Sequence, residues 1–242
     1  MASTDLTKFK GITFDIIGTL IDFEAGILEW CRQRLPKELT DNEILETFAR
    51  VEKTLHQKSP DQTMVQMFPN IWPGMAKEFG VEARPDEGKD FAASTMSWQP
   101  FPDSKEALAY LKQHYKLYTL TTGSRELAEN LAQKLGSPFT RVFSASDVGY
   151  SKPDPRAFNS QLAAVAKDDG IEKDEMLWAA QSQFHDIIPA HKLGLSTMWI
   201  ERRAKLHGYG GTPVPDSGNT QPDFHATSMQ DFASQAKQAR GD

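Results

Sequence analysis

The sequence predicts an α/β protein, a doubly wound parallel sheet with helices on both faces and an all-helical segment inserted after the first strand. Three observations predict it. Short apolar segments rich in β-branched and aromatic residues recur along the chain. Segments with a period near 3.6 residues lie between them, and the stretch from about Phe23 to Gln99 breaks that alternation with helix alone.

The first strand is GITFDII, Gly11 to Ile17, too short for a helix and stopped by Gly18. KLYTLTT (Lys116 to Thr122), RVFSA (Arg141 to Ala145), MLWAAQ (Met176 to Gln181) and STMWIE (Ser196 to Glu201) repeat the pattern. Between them, Leu108 and Leu111, then Leu127, Leu131 and Leu135, then Phe158, Leu162 and Val165 mark helices. Gly136 and Gly194 stand where a left-handed residue closes a last turn, and Asp103 or Ser104 is placed to cap another helix. In the inserted stretch, Ile44, Leu45, Phe48, Val51 and Leu55 line one helical face, capped by Thr40 or Asp41. Trp72, Met75, Phe79, Phe91 and Trp98 supply apolar material for a small bundle, divided by prolines. Residues 207–222, rich in Gly and Pro, read as a long surface loop, and the chain ends on one short helix.

The 242 residues suit one core with a smaller insertion, and 39% hydrophobic content is enough to fill it. A net charge of −6 disfavours a phosphate backbone as partner, so no nucleic acid is expected. A lone cysteine, Cys31, forms no internal disulfide. Neither a signal-peptide pattern nor a bilayer-length apolar run is present, so the expectation is a cytoplasmic protein without a membrane partner.

Asp15 interrupts an apolar strand, which is costly unless it sits at the strand's wet end or is paired. Gly18, Thr19 and Leu20 follow it in a tight turn whose N–H groups can point toward an anion, although a turn-capping aspartate reads equally well. Thr121 and Thr122 offer two hydroxyls at a second strand end, and Ser124 reads as a helix cap. Lys152, ahead of Pro153, and the pair His185–Asp186 lie in loops on the same sheet edge. A solvated lysine and an aspartate that only caps a helix are the plainer readings of each alone. Together they put two acids, two hydroxyls and a lysine on one edge.

In FDIIGTL, LTTGS, SKPDP and QSQFHDIIPAHKLGL, taken in order, the sequence resembles the haloacid dehalogenase (HAD) superfamily, and is most similar to the L-2-haloacid dehalogenase branch. The resemblance implies a HAD-like Rossmannoid core over residues 1–20 and 100–242 with a helical cap at 21–99. It implies Asp15 as nucleophile, Lys152 as the charge that keeps it ionised, and Asp186 as acidic partner. Ile16, Ile17, Thr121, Thr122, Phe158 and Gln183 fall at substrate-contact positions. The implied activity is hydrolysis of a small organic substrate, a 2-haloacid, through a covalent ester, without metal or other cofactor. Homodimerisation is expected from the same branch.

Departures bear on the substrate. Two residues after Asp15 the phosphatases carry a proton-donating Asp, whereas this chain has Ile17, and Ser182 replaces a carboxylate of their magnesium site. Where the dehalogenases hold the halide with arginine, the nearest cation is Lys37. Thr122, Phe158, Gln181 and Gln183 also differ from the dehalogenase pattern. His185 is placed to supply an acid or base missing at Ile17. The alternatives are a Mg²⁺-dependent phosphatase, with the metal at Asp15, the Ile17 carbonyl and Asp186, and a non-catalytic protein of the same fold.

Overall fold

Gly11–Phe14 forms the first strand, β1, and all four residues are buried, as a parallel strand covered on both faces requires. The remaining strands are β2 (Lys116–Thr119), β3 (Met176–Ala180), β4 (Ser196–Ile200) and β5 (Phe224–Ala226). The computed structural model describes residues 5–59, 62 and 64–241. Its sheet is wholly parallel in the order β2-β1-β3-β4-β5. The chain therefore leaves β1 for one side and later returns to the other, so the order reverses between β1 and β3. In such sheets ligands bind outside the carboxyl ends of the strands at that reversal.

After β1 come α1 (Phe23–Arg32), α2 (Asp41–Lys58), α3 (Met64–Met67), α4 (Ile71–Glu78) and α5 (Glu87–Ser94), with no strand among the described residues between them. α2 begins on a reciprocal cap: the Glu43 N–H donates to the Thr40 hydroxyl, while Glu43 accepts from the Thr40 N–H. Trp72, Met75, Phe91 and Trp98 are buried as the apolar pattern anticipates. The helices of the sheet region are α6 (Ser104–Leu111), α7 (Arg125–Lys134), α8 (Ala145–Val148), α9 (Pro155–Asp169), α10 (Ile188–Lys192) and α11 (Met229–Arg240).

Alternation along the strands divides the core in two. Ile12, Phe14, Leu177, Ala179 and Met198 pack with α6 and α11, while Tyr118, Met176, Trp178 and Ala180 pack with α9 and α10. Both faces are covered, which makes the sheet doubly wound. No helix among the described residues is long and apolar enough to cross a membrane. Cys31 is buried and free, and burial pushes its thiol up to about 12.

Three local expectations change. Arg141–Ala145 is not a full strand: it makes two isolated parallel bridges, Tyr118 to Arg141 and Thr121 to Ser144. Between the two bridges the Phe143 N–H donates to the Thr119 hydroxyl at 3.0 Å in place of a backbone carbonyl, while the Phe143 carbonyl accepts from both the Thr119 hydroxyl and the Thr121 N–H. Conversely, the edge strand β5 lies in three residues that carry too little pattern to stand out beside the loop. Asp103 precedes α6 but does not cap it; its carboxylate accepts from Arg202 and from the N–H groups of Met229 and Gln230, tying α6 to the start of α11.

Candidate active site

Asp15 is the first residue beyond β1, and its N–H still donates to the Ala179 carbonyl of β3 at 3.1 Å. The ladder thus delivers the carboxylate to the reversal point with its backbone already paired. The chain then turns on Gly18, whose φ of 89° favours glycine, and an added Cβ there would stand 3.1 Å from the Phe23 ring. Two of the turn's N–H groups are engaged within it and do not face an anion: Gly18 donates to the Ile21 carbonyl and Leu20 to the Ile16 carbonyl. The turn's polar contribution is instead Thr19, whose hydroxyl donates to Asp15 Oδ2 at 2.7 Å and accepts from the Gln181 N–H at 2.8 Å.

Lys152, 3% exposed, places Nζ 2.8 Å from Asp15 Oδ1 and 2.7 Å from Asp186 Oδ1. It is not a solvated lysine. Burial alone would push its amine down, but the two carboxylates overcome that and hold it above the usual lysine value. Asp186 is fully buried in the wide π-helical turn Gln183–Ile187. It caps nothing: its Oδ1 accepts from Lys152 and from Trp178 Nε1 at 3.1 Å, while its Oδ2 has no hydrogen-bond partner. Burial pushes its carboxyl up to about 6, aided by repulsion from Asp15 and opposed by Lys152 and Trp178. One ammonium between two carboxylates leaves the cluster with a net negative charge.

Ser182 caps the π-helical turn by accepting from the His185 N–H at 2.9 Å. The His185 ring is held on both sides, Nδ1 3.2 Å from Ser182 Oγ and Nε2 3.1 Å from Glu52 of α2. The histidine therefore bridges the sheet region to the inserted helices. Ser124 is a cap, as its position after a strand implies, accepting from the Leu127 N–H at 3.1 Å.

Asp15, Lys152, His185 and Asp186 line one cavity of about 370 Å³, with Ile17 and Thr122 beside them. Four sequence-derived contacts lie elsewhere. The Ile16 side chain is wholly in the core. Thr121 is buried under its neighbour, its hydroxyl accepting from the Gly123 N–H at 3.3 Å. The Phe158 ring packs on Trp178, centroids 4.5 Å apart, on the far side of β3. Gln183 faces a second cavity and accepts from the Thr220 N–H at 3.2 Å. Alternation explains such pairs: consecutive residues leave a strand end in opposite directions, so one of each pair faces the cavity. Lys37 is exposed and is not a cavity residue.

Sequence reasoning missed Thr19 as a carboxylate donor, Trp178, and Glu52. Glu52 left a trace, because it falls four residues after Phe48 on the apolar face of α2, where a charge is out of place. The roof of the cavity, including Phe23, Phe48, Phe68 and Trp98, also belongs to the inserted helices and their flanks.

Residues 9–178 match the family model of haloacid dehalogenase-like hydrolase. The chain is 24% identical to an (S)-2-haloacid dehalogenase of Pseudomonas sp. strain YL over 226 residues, 91% of each chain. Its fold resembles the L-2-haloacid dehalogenase of Xanthobacter autotrophicus with chloropropionic acid covalently bound, at a TM-score of 0.73 and 18% identity, covering 93% of this chain and 97% of that one. It also resembles YfnB of Bacillus subtilis, a HAD-hydrolase bound to magnesium, at a TM-score of 0.72 and 18% identity over 94% and 98% of the chains. Structural likeness at such identities speaks to the fold alone; the family match spans more than half the sequence and includes β1, β2, the lysine loop and the start of β3, so the chain belongs to the haloacid dehalogenase-like hydrolases.

Proposed function

We propose that Asp15 is the nucleophile in hydrolytic displacement of halide from carbon, on a substrate of the 2-haloacid type. The observation that carries the reading is the bracing of Asp15: Lys152 on one oxygen, Thr19 on the other, and apolar Ile17 lining the same cavity. Lys152 supplies the carboxylate's counter-charge, and the two hydrogen bonds fix its direction of attack. One Asp15 oxygen forms a bond to the halogen-bearing carbon as the carbon–halogen bond breaks, and halide leaves with the electron pair. No proton is needed for that departure, which suits a site with Ile17 two residues after the nucleophile.

Water then attacks the carbonyl carbon of the Asp15 ester. Asp186, with its carboxyl raised to about 6 and its Oδ2 unpartnered, accepts the proton that the water loses. The same proton returns to the departing alkoxide, Asp15 is restored as carboxylate, and the overall reaction releases one proton with the halide. This proton path does not require His185, whose ring nitrogens lie 3.2 Å from Ser182 Oγ and 3.1 Å from Glu52. The inserted helices act as a cap whose closure excludes bulk water while the ester stands. The covalently bound chloropropionic acid of the Xanthobacter autotrophicus enzyme supports the same chemistry.

Single turnover of a 2-haloacid in ¹⁸O-water tests this. The label enters the Asp15 side chain and the alcohol leaves unlabelled; label in the alcohol from the first turnover overturns the reading.

A second reading, phosphate-ester hydrolysis with Mg²⁺ held by Asp15 and Asp186, is favoured by the unpartnered Asp186 Oδ2 and by the magnesium bound to YfnB. Against it, the departing oxygen of a phosphate ester needs a proton, and Ile17, two residues after Asp15 in the same cavity, supplies none. Chelator abolishes activity under this reading and leaves halide release unchanged under the first.

A further inference from the structure

We propose that a second cavity, walled by the ends of β3 and β4 and the loop after β4, stores the water that hydrolyses the Asp15 ester, and that the Gln181 side chain is the partition between the two cavities. The inference rests on the reaction proposed above for the ester itself; the source of the water follows from the second cavity.

Cap closure keeps bulk water from the ester, yet the ester must still meet one water molecule. The cap side of the catalytic cavity is largely aromatic, with Phe23, Phe48, Phe68 and Trp98 in its wall, and apolar surface holds water poorly. The second cavity is the polar one. Gln181, Gln183, Glu201, Tyr209, Thr212 and Asn219 contribute to its lining, and its volume is about 280 Å³. That is several times the roughly 30 Å³ that one water occupies in the liquid. Gln183 is 3% exposed; its Oε1 accepts from the Thr220 N–H, while its Nε2 has no hydrogen-bond partner among the described residues. A buried amide donor beside a roomy polar cavity is completed by water. None of the described lining residues belongs to the inserted helices, so cap closure does not seal this space. Leu206 and Asn219, both exposed, keep it in contact with solvent.

Gln181 and Thr212 line both cavities. Among the described residues the Gln181 side chain makes one hydrogen bond, its Oε1 accepting from the Thr212 hydroxyl at 3.2 Å. Everything around that bond is fixed. The Gln181 N–H donates to Thr19 at 2.8 Å and its carbonyl accepts from Trp199 Nε1 at 2.9 Å. The Thr212 N–H donates to the Tyr209 carbonyl at 3.1 Å, and the adjacent Gly211 N–H donates to Glu24 at 2.9 Å. A rotamer change of Gln181, at the loss of one neutral hydrogen bond, therefore joins the two spaces without moving the loop. The Thr19 hydroxyl that holds the Gln181 N–H also donates to Asp15 Oδ2, so water passing Gln181 arrives beside the Asp15 carboxyl group. Asp186, with its unpartnered Oδ2, lines the cavity it enters.

Rapid-quench turnover of 2-bromopropionate separates the two chemical steps: bromide release reports formation of the ester, and intact-protein mass spectrometry follows its decay. Two variants lie in the second cavity and outside the catalytic one. Gln183→Met removes the water's donor, and Asn219→Trp fills the cavity from an exposed position that folding tolerates. Each should slow ester decay by about tenfold and leave the bromide burst within about twofold of wild type, so that ester accumulates on the protein. A crystal structure of the wild type should show an ordered water within hydrogen-bond distance of Gln183 Nε2. Unchanged ester decay in both variants, burst and decay falling together, or a dry Gln183 Nε2 overturns the proposal. A wild type that releases no bromide at all refutes the reaction at Asp15 instead, whatever water the second cavity holds.

Discussion

Thr19 and Asp15 are joined by a 2.7 Å hydrogen bond from the threonine hydroxyl to Oδ2, and the same hydroxyl accepts from the Gln181 N–H. One buried side chain therefore links the ends of β1 and β3 and sets the orientation of the carboxylate between them. Thr19→Val removes the donor and leaves the Gln181 N–H without its acceptor. Stability should fall by about 1–3 kcal/mol in denaturant unfolding, and halide release should fall with it. Thr19→Ser, which keeps the hydroxyl, should recover most of both.

Lys152 separates two buried carboxylates, so its removal costs more than a surface ion pair would. Lys152→Met should destabilise the protein by about 3–5 kcal/mol near neutral pH, because Asp15 and Asp186 are left to repel each other out of water. Acidification should restore part of the loss as one carboxylate protonates. A loss that is the same at pH 7 and pH 5 would contradict the bracing role. In the wild type, the raised amine contributes stability that is complete below the ordinary lysine value and is lost only as pH rises through the higher folded one.

Asp186 carries the opposite sign to most paired carboxylates. Its folded value, about 6, lies above the ordinary 3.8, so the folded state binds the proton first as pH falls. The stability of wild type relative to Asp186→Asn should therefore rise as pH is lowered from about 6 toward 4. Chemical denaturation of both proteins across that range measures it. Ester hydrolysis, if Asp186 takes the water proton, should decline in the same window with a single-proton slope.

Trp178→Phe retains a ring against Phe158 but loses the indole donor to Asp186 Oδ1. The ionised form of Asp186 loses a stabilising hydrogen bond, so its acid limb should move to higher pH. A pH–rate profile that shifts downward or not at all would show that the indole does not hold this charge.

Much of the site was legible before any coordinates. Asp15 announced itself as an acid in an apolar strand, and Lys152 and Asp186 by falling after later strands of an alternating chain. Alternation of strand and helix makes the strands parallel, which brings their carboxyl ends to one edge. Phe158 lies in α9 on the far side of β3 and Gln183 in the π-helical turn facing a second cavity, while Ile16 and Thr121, at strand ends, turn away from the cavity that their neighbours line. A pattern of residue types does not say which of two consecutive side chains faces outward where a strand frays into a turn.

The linear pattern alone determined the doubly wound sheet, the helical insertion and the three charged residues at the carboxyl edge, because hydrophobic period and strand ends are local properties. Only tertiary structure decided that Thr19 braces Asp15, that Trp178 holds Asp186, and that Glu52 reaches His185 from a helix far away in sequence. Those partners meet across folded distances, and whether a polar group finds one there depends on packing geometry, which no single segment encodes.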